Sequence, residues 1–500
     1  MNKFKAFAAV LATVALAVGT MTASSAAGTT LKLGAIIKPL SLAADQGQYG
    51  NHVWYYQAVY DTVLRKKEDG TIIPGIATKW SYNSSQTVLT LTLRSGVKFT
   101  DGTVLDASAV AKNLIANRDK NGPTANYLKS LKTATAKNSS TVVLTLTGVD
   151  PSFLEYLSDT AGLLASPKAI GKASSATTPV GSGPYILDKT KTVAGSTYTY
   201  KSNPNYWDKS NRKYDNLVIK VYEDTTAMSN AIKSGAVSGG NVWPSFVSSL
   251  KAAGFKSASG YLDAKGIYFG KRDAASGSCV ADVDVRRAMN TIFDRAAMLK
   301  ALDNGMGKVT TQYIPSYNKG YDAALDKKYS YSESAAKALM AKSSFPNGCT
   351  ITMPTFTPIF GEAGYAIIKS QLAKIGITVK EVEETGGTFL NNIFAAKYDA
   401  YLMMFERSSN AWTLINFIIS KDATFNNDKY TETKVTKLID DYKKATDAKR
   451  PAILKSLNAE LVNNAWFLPF YTLQSNFVHK GITVKSAQAG NVIPFLYNIK

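Results

Sequence analysis

Histidine and cysteine are nearly absent from this sequence: its 500 residues hold two of each, His52 and His479, Cys279 and Cys349. The histidines stand at opposite ends of the chain, so neither metal-ligand spacing nor a general-base constellation can be read from them. Other catalytic signatures are missing too. There is no Walker-type phosphate loop, and Gly181-Ser182-Gly183 lacks the frame of a nucleophile elbow. Glu381, Glu383 and Glu384 read as the solvated end of a strand. Two facing carboxylates, as in a glycoside hydrolase, are the one catalytic arrangement that spacing leaves open. The expectation from these absences is that the chain is not an enzyme and carries no cofactor or metal.

Long hydrophobic runs are missing beyond the N-terminus, where no stretch approaches the roughly 18 apolar residues of a membrane span. The run from Ala6 to Val18 is too short for one. It follows Lys3 and Lys5 and precedes small residues ending in Ser25, Ala26 and Ala27. That order marks 1–27 as a secretory signal peptide, cleaved after Ala27. No cysteine lies near the junction to carry a lipid anchor. The expectation is a secreted protein, periplasmic or at the extracellular cell surface.

Acidic residues are in deficit, 37 against 58 basic ones, for a net charge of +21; losing Lys3 and Lys5 with the leader makes it +19. The excess is scattered lysine, without arginine clusters between aromatics, so nucleic acid is not an expected partner. Loose attraction to an acidic cell wall or membrane surface is. In an exported chain the even cysteine count favours a Cys279–Cys349 disulfide.

Aromatic residues are plentiful, with 27 Tyr, 20 Phe and 6 Trp. Most serve cores, and some supply rigid binding surface. The length calls for two or three domains. Leu89, Leu91 and Leu93 alternate with polar residues, as do Val142, Leu144 and Leu146, and Leu217, Ile219 and Val221; each set predicts a strand. Asp106 and Thr225 are candidate helix caps. Val285, Met289, Ile292, Ala296 and Leu299 predict one amphipathic helix. Tyr365, Ile368, Leu372 and Ile375 predict another, ahead of a strand at Ile377–Val382. Pro451 opens a third, with Leu454, Leu457 and Leu461 on one face. The fold class is α/β with mixed sheets.

Four stretches carry a resemblance. They are VYDTVLRKKEDGTIIPGIATKW (59–80) running on to LTLRSGVKFTDGTVLDASAV (91–110); PVGSGPYIL (179–187) with NPNYWDKS (203–210); DVDVRRAMNTIFDRAAML (282–299); and QLAKIGITV (371–379). In this order they resemble the large extracellular solute-binding proteins of the peptide/nickel class (family 5) that serve ABC importers. The resemblance implies a two-lobed periplasmic-binding-protein-like fold with a hinge and an extra inserted subdomain. Mapped here, lobe I is 28–264 with the subdomain at 51–175, lobe II is 265–475, and 476–500 returns to lobe I. It implies a monomer that captures a small molecule, foremost a peptide, in the interlobe cleft and delivers it to membrane permease subunits. A sensor or adhesion module on the same fold is the alternative from another class. Oligosaccharide is the alternative ligand; nickel is disfavoured by the missing histidines.

Peptide-binding relatives carry a Trp-x-x-Asp-Tyr-Pro-Asp-like segment whose Asp pairs with the ligand's α-amino group. Its counterpart here is MMFERSSNAWTLINF (403–417), with Ser408 or Ser409 where the Asp should be; either Glu406 substitutes or the amino-group contact is absent, and the swap bears on dipeptide specificity. The candidate cleft residues are Tyr49, Trp243, Phe405, Glu406, Arg407 and Trp412. Trp412 is expected to offer a stacking platform, and Arg407 or Glu406 a charge for the ligand.

Overall fold

The alternation at Leu89, Leu91 and Leu93 buries all three side chains on one face of the strand Val88–Leu93. This strand belongs to a four-stranded antiparallel sheet in the order Ala77–Tyr82, Val88–Leu93, Thr141–Leu146, Leu131–Asn138. Helix Ala107–Asp119 packs on it, and its cap is Asp106, whose carboxylate accepts the Ala109 N–H at 2.9 Å. The resulting core runs from Val63 to Leu164. The computed structural model describes residues 28–48, 50–120, 122–485 and 488–500. The expected leader and the candidate Tyr49 lie outside the described residues.

A second sheet joins the two lobes. In lobe I, Thr30–Ala35 lies between Asn216–Val221 and Gly239–Val242, parallel to both, and Thr197–Ser202 and Tyr185–Leu187 continue the sheet antiparallel. Two long antiparallel strands, Lys256–Phe269 of 14 residues and Phe467–His479 of 13, run on into lobe II. At about 3.3 Å per residue each reaches roughly 45 Å, well beyond one ordinary sheet. Their register breaks between Tyr261 and Ala264 and again between Lys265 and Gly266. In lobe II they are joined by Ala400–Glu406 and covered by helices and a parallel pair, Cys349–Thr355 with Ile377–Glu383. Cys279 and Cys349 form a disulfide that ties the start of helix Val283–Thr291 to this pair.

The structure corrects local readings. The apolar face from Val285 to Leu299 is carried by two helices, Val283–Thr291 and Arg295–Asp303, because the Asp294 carboxylate accepts the Ala297 N–H and starts a new helix. Asp224, not Thr225, caps helix Thr225–Lys233. Gly181 and Gly183 are not turn glycines: a Cβ at either would meet the Val59 backbone, within 2.2 Å and 2.5 Å respectively. Their service is close backbone approach. Arg286, fully buried, donates to the carbonyls of Val280, Ala281, Asn464 and Ala465, so this motif arginine holds scaffold together.

Candidate binding cleft

The strand Ala400–Glu406 pairs antiparallel with the long strand, setting Phe405 opposite Ala264 and Glu406 opposite Asp263. Because side chains alternate across a strand, these neighbours meet different fates. Phe405 points into the lobe II core, its ring 4.6 Å from those of Tyr268 and Phe425 and 5.3 Å from that of Phe417. It does not line a cavity; its aromatic partners consume the surface that was expected to face ligand.

Glu406 points into open space between the lobes. Its carboxylate is nonetheless crowded by protein. Burial first, and the negative charge of Asp263 second, push its pKa from 4.5 up to about 7. Asp263 is raised in the same way by burial, with Arg407 and Lys265 pulling the other way. Among the described residues Glu406 has no hydrogen-bond donor or ion-pair partner.

Arg407 is 2% exposed and turned away from the cavity. Its guanidinium donates to the carbonyls of Leu262 at 3.2 Å, Tyr261 at 3.3 Å and Tyr313 at 3.4 Å. Two of these carbonyls belong to the register break of the long strand. The arginine expected to grip a ligand carboxylate thus spends its donors on the backbone where the lobes join.

Asn410 then turns the chain into a helix, its Oδ1 accepting the Thr413 N–H at 2.9 Å. This cap sends Trp412 outward, where its ring stacks on Tyr442 at 6.1 Å and 8°. One face of the expected platform is therefore taken. Trp243 stands elsewhere, 57% exposed, just past the strand Gly239–Val242. Ile37, also exposed, lies in the bend that follows Thr30–Ala35.

Among the described candidates, Glu406 alone lines a cavity between the 127–161 segment and the 406–413 segment. This cavity, of about 330 Å3, is also walled by Lys66, Tyr127, Glu155, Tyr156 and Asp159. The rings of Tyr127 and Tyr156 touch at 5.1 Å. Buried Lys66 pairs with Asp159 at 2.9 Å and lies 3.8 Å from Glu155. The wall thus carries three carboxylates against one ammonium, within a strongly basic chain. A larger cavity, of about 630 Å3, opens beside Arg94 and Trp207, and its described lining comes from Arg65 to Asn211 and from Thr483 to Lys500.

The cavity is closed by contacts across the lobes. The Glu155 carboxylate accepts from Asn410 Nδ2 at 2.6 Å and Ser409 Oγ at 3.1 Å. Ser152 Oγ donates to Asn410 Oδ1 at 2.6 Å. Lys66, Glu155, Asp159 and Asn410 escaped sequence reasoning. Asn410 three residues before Thr413 was a readable cap; Lys66 lay inside a motif that reads as scaffold.

The family model for bacterial extracellular solute-binding proteins, family 5 Middle, matches residues 71–425. Di/tripeptide-binding protein 1 of Pseudomonas aeruginosa (strain UCBPP-PA14) is 25% identical over 447 residues, 80% of either chain. Among solved structures, HbpA2 from Haemophilus parasuis matches with a TM-score of 0.84 at 20% identity, over 94% of this chain and 99% of its own. The periplasmic murein tripeptide binding protein MppA, in its unliganded open form, matches with a TM-score of 0.82 at 17% identity, over 95% and 97%. These likenesses show the fold.

Proposed function

This chain belongs to the bacterial extracellular solute-binding proteins of family 5, and from that premise we propose that it captures a short peptide in the interlobe cavity and passes it to an ABC importer, with Glu406 holding the peptide's α-amino group. One observation carries the reading: a carboxylate without a partner lines a cavity shared by two lobes. The like charge of Asp263 opposes its ionisation, and a ligand ammonium offsets that opposition. Glu406 then stands in for the aspartate of the family's segment. The name of the Pseudomonas relative, a di/tripeptide-binding protein, supports the ligand class. The cavity, near the bottom of the roughly 300–1,000 Å3 usual for small-molecule sites, suits a short ligand.

The lobe bounds near 264 and 475 fall beside the register breaks of the crossing strands, which supports a hinge there. Among the described residues no helix is long and apolar enough to cross a membrane. Secretion with loss of 1–27, a monomeric state and the lack of catalytic activity belong to the same reading. A second ligand class, a neutral oligosaccharide, is favoured by the paired rings of Tyr127 and Tyr156.

Calorimetry with dialanine and N-acetyl-dialanine separates the two classes. Acetylation removes the ammonium and should weaken binding by about 2–5 kcal/mol, and Glu406→Gln should do the same to the free peptide. Equal affinity for both compounds, or binding of a maltooligosaccharide instead, defeats the amine anchor.

A further inference from the structure

The contact that closes the cavity also divides the interlobe space. Beyond Glu155 and Ser409 lies a second cavity, of about 240 Å3, walled by Pro151, Tyr317, Asn318, Tyr442 and Arg450. Glu155 and Ser409 line both cavities, so the wall between them is one hydrogen-bonded pair of side chains thick. Asn410 anchors that wall. Its Nδ2 donates to Glu155, while its Oδ1 accepts from Ser152 and from the Thr413 N–H. Ser152 and Asn410 are both buried, which favours a fixed geometry over a fluctuating surface contact. Asn318 Nδ2 holds the Ser409 carbonyl at 2.9 Å from the far side.

We propose that the Ser152–Asn410–Glu155–Ser409 bridge is a partition that sets the length of the ligand. With the bridge made, a linear ligand is confined to the first cavity. With it broken, the ligand's distal end runs on into the second. The bridge residues are positioning groups in this scheme, and the inference rests on the reading of the first cavity as the ligand site.

Asn410→Asp isolates the partition. It keeps an oxygen to cap the helix but replaces the donor facing Glu155 with an acceptor. Calorimetry on the full chain with two graded probe series, di- to hexa-alanine and maltooligosaccharides of matching span, reads the effect. The wild type should show a length limit. N410D should bind the longer members roughly tenfold more tightly than the wild type does. The double variant N410D/E155Q, which again sets a donor against an acceptor, should restore the limit. Ser152→Ala, which removes one bond and no charge, should shift the limit less, and it stands in if N410D fails to fold. An unchanged limit in the variants, or wild-type binding of the longest members as tight as the shortest, overturns the partition. A limit seen only in the sugar series retains the partition and removes the peptide reading; binding of neither series overturns both.

Discussion

Glu406 and Asp263 stand opposite each other where the outermost lobe II strand meets the strand that crosses between lobes. Like charges placed opposite on paired strands repel, and protein packed around both carboxylates adds to the shift although the Glu406 side chain remains exposed. Glu406 stays protonated to about pH 7 as a result. Its folded pKa lies above its unfolded one, so the folded state binds the extra proton between about pH 4.5 and 7. Stability of the ligand-free protein should therefore fall as pH rises through that window. Glu406→Gln should flatten the curve and raise stability at neutral pH. Thermal melts from pH 5 to 8 check both; a curve unaltered by the substitution refutes the coupling.

The same group gives ligand binding the opposite slope. A peptide ammonium binds the ionised carboxylate, so peptide affinity should weaken as pH falls below about 7. Peptide binding should also release protons near neutrality. Calorimetry in buffers of different ionisation enthalpy measures the release, and none at pH 6 speaks against Glu406 as the anchor.

Arg407 should prove a stability residue. Its removal strands three carbonyls at the lobe junction, a loss of roughly 2–4 kcal/mol. Arg407→Lys should not rescue it, since one ammonium cannot reproduce the fork of donors. Urea unfolding of Arg407→Ala is the measurement. Wild-type stability with lost peptide binding would return Arg407 to the ligand.

Much of the fold was legible because its signals are local. Three alternating leucines suffice to place a strand, and one aspartate to start a helix. The helix that split at Asp294 shows the limit of periodicity: two short helices on the same core present the same apolar spacing as one. The site was legible only where a single segment carries it. Glu406 came from position within a resembling segment. Glu155 and Asn410, 255 positions apart, meet only in the folded chain, where no local pattern announces the contact. Phe405 and Arg407 are turned away from the cavity beside Glu406 for a shared reason. Their chemistry suits a ligand, but alternation along the strand and unpaired carbonyls at the lobe junction claim them for the core.

The Cys279–Cys349 disulfide closes a loop of 70 residues. In the chain-entropy model such a closure contributes about 4 kcal/mol through the unfolded state. Dithiothreitol should lower the urea midpoint accordingly while leaving the cavity, which lies elsewhere, able to bind. Alkylation without reductant should modify neither cysteine, and two modified cysteines in intact mass would refute the bridge.

The two tryptophans expected in the cleft should separate cleanly. Trp412 is half-buried against Tyr442, so Trp412→Ala should cost roughly 1–3 kcal/mol of stability with little effect on ligand affinity. Trp243 is more than half exposed, just past the strand Gly239–Val242, which runs parallel to Thr30–Ala35. Ligands of open α/β sheets gather outside the carboxyl ends of such strands. Trp243→Ala should therefore leave stability within about 0.5 kcal/mol of the wild type. If the bound ligand extends to this edge, the substitution weakens binding, and the blue shift of tryptophan emission on ligand addition is lost with Trp243→Phe. Emission unmoved by saturating ligand in the wild type would mean that the ligand is confined to the cavity beside Glu406 and that Trp243 has no part in holding it.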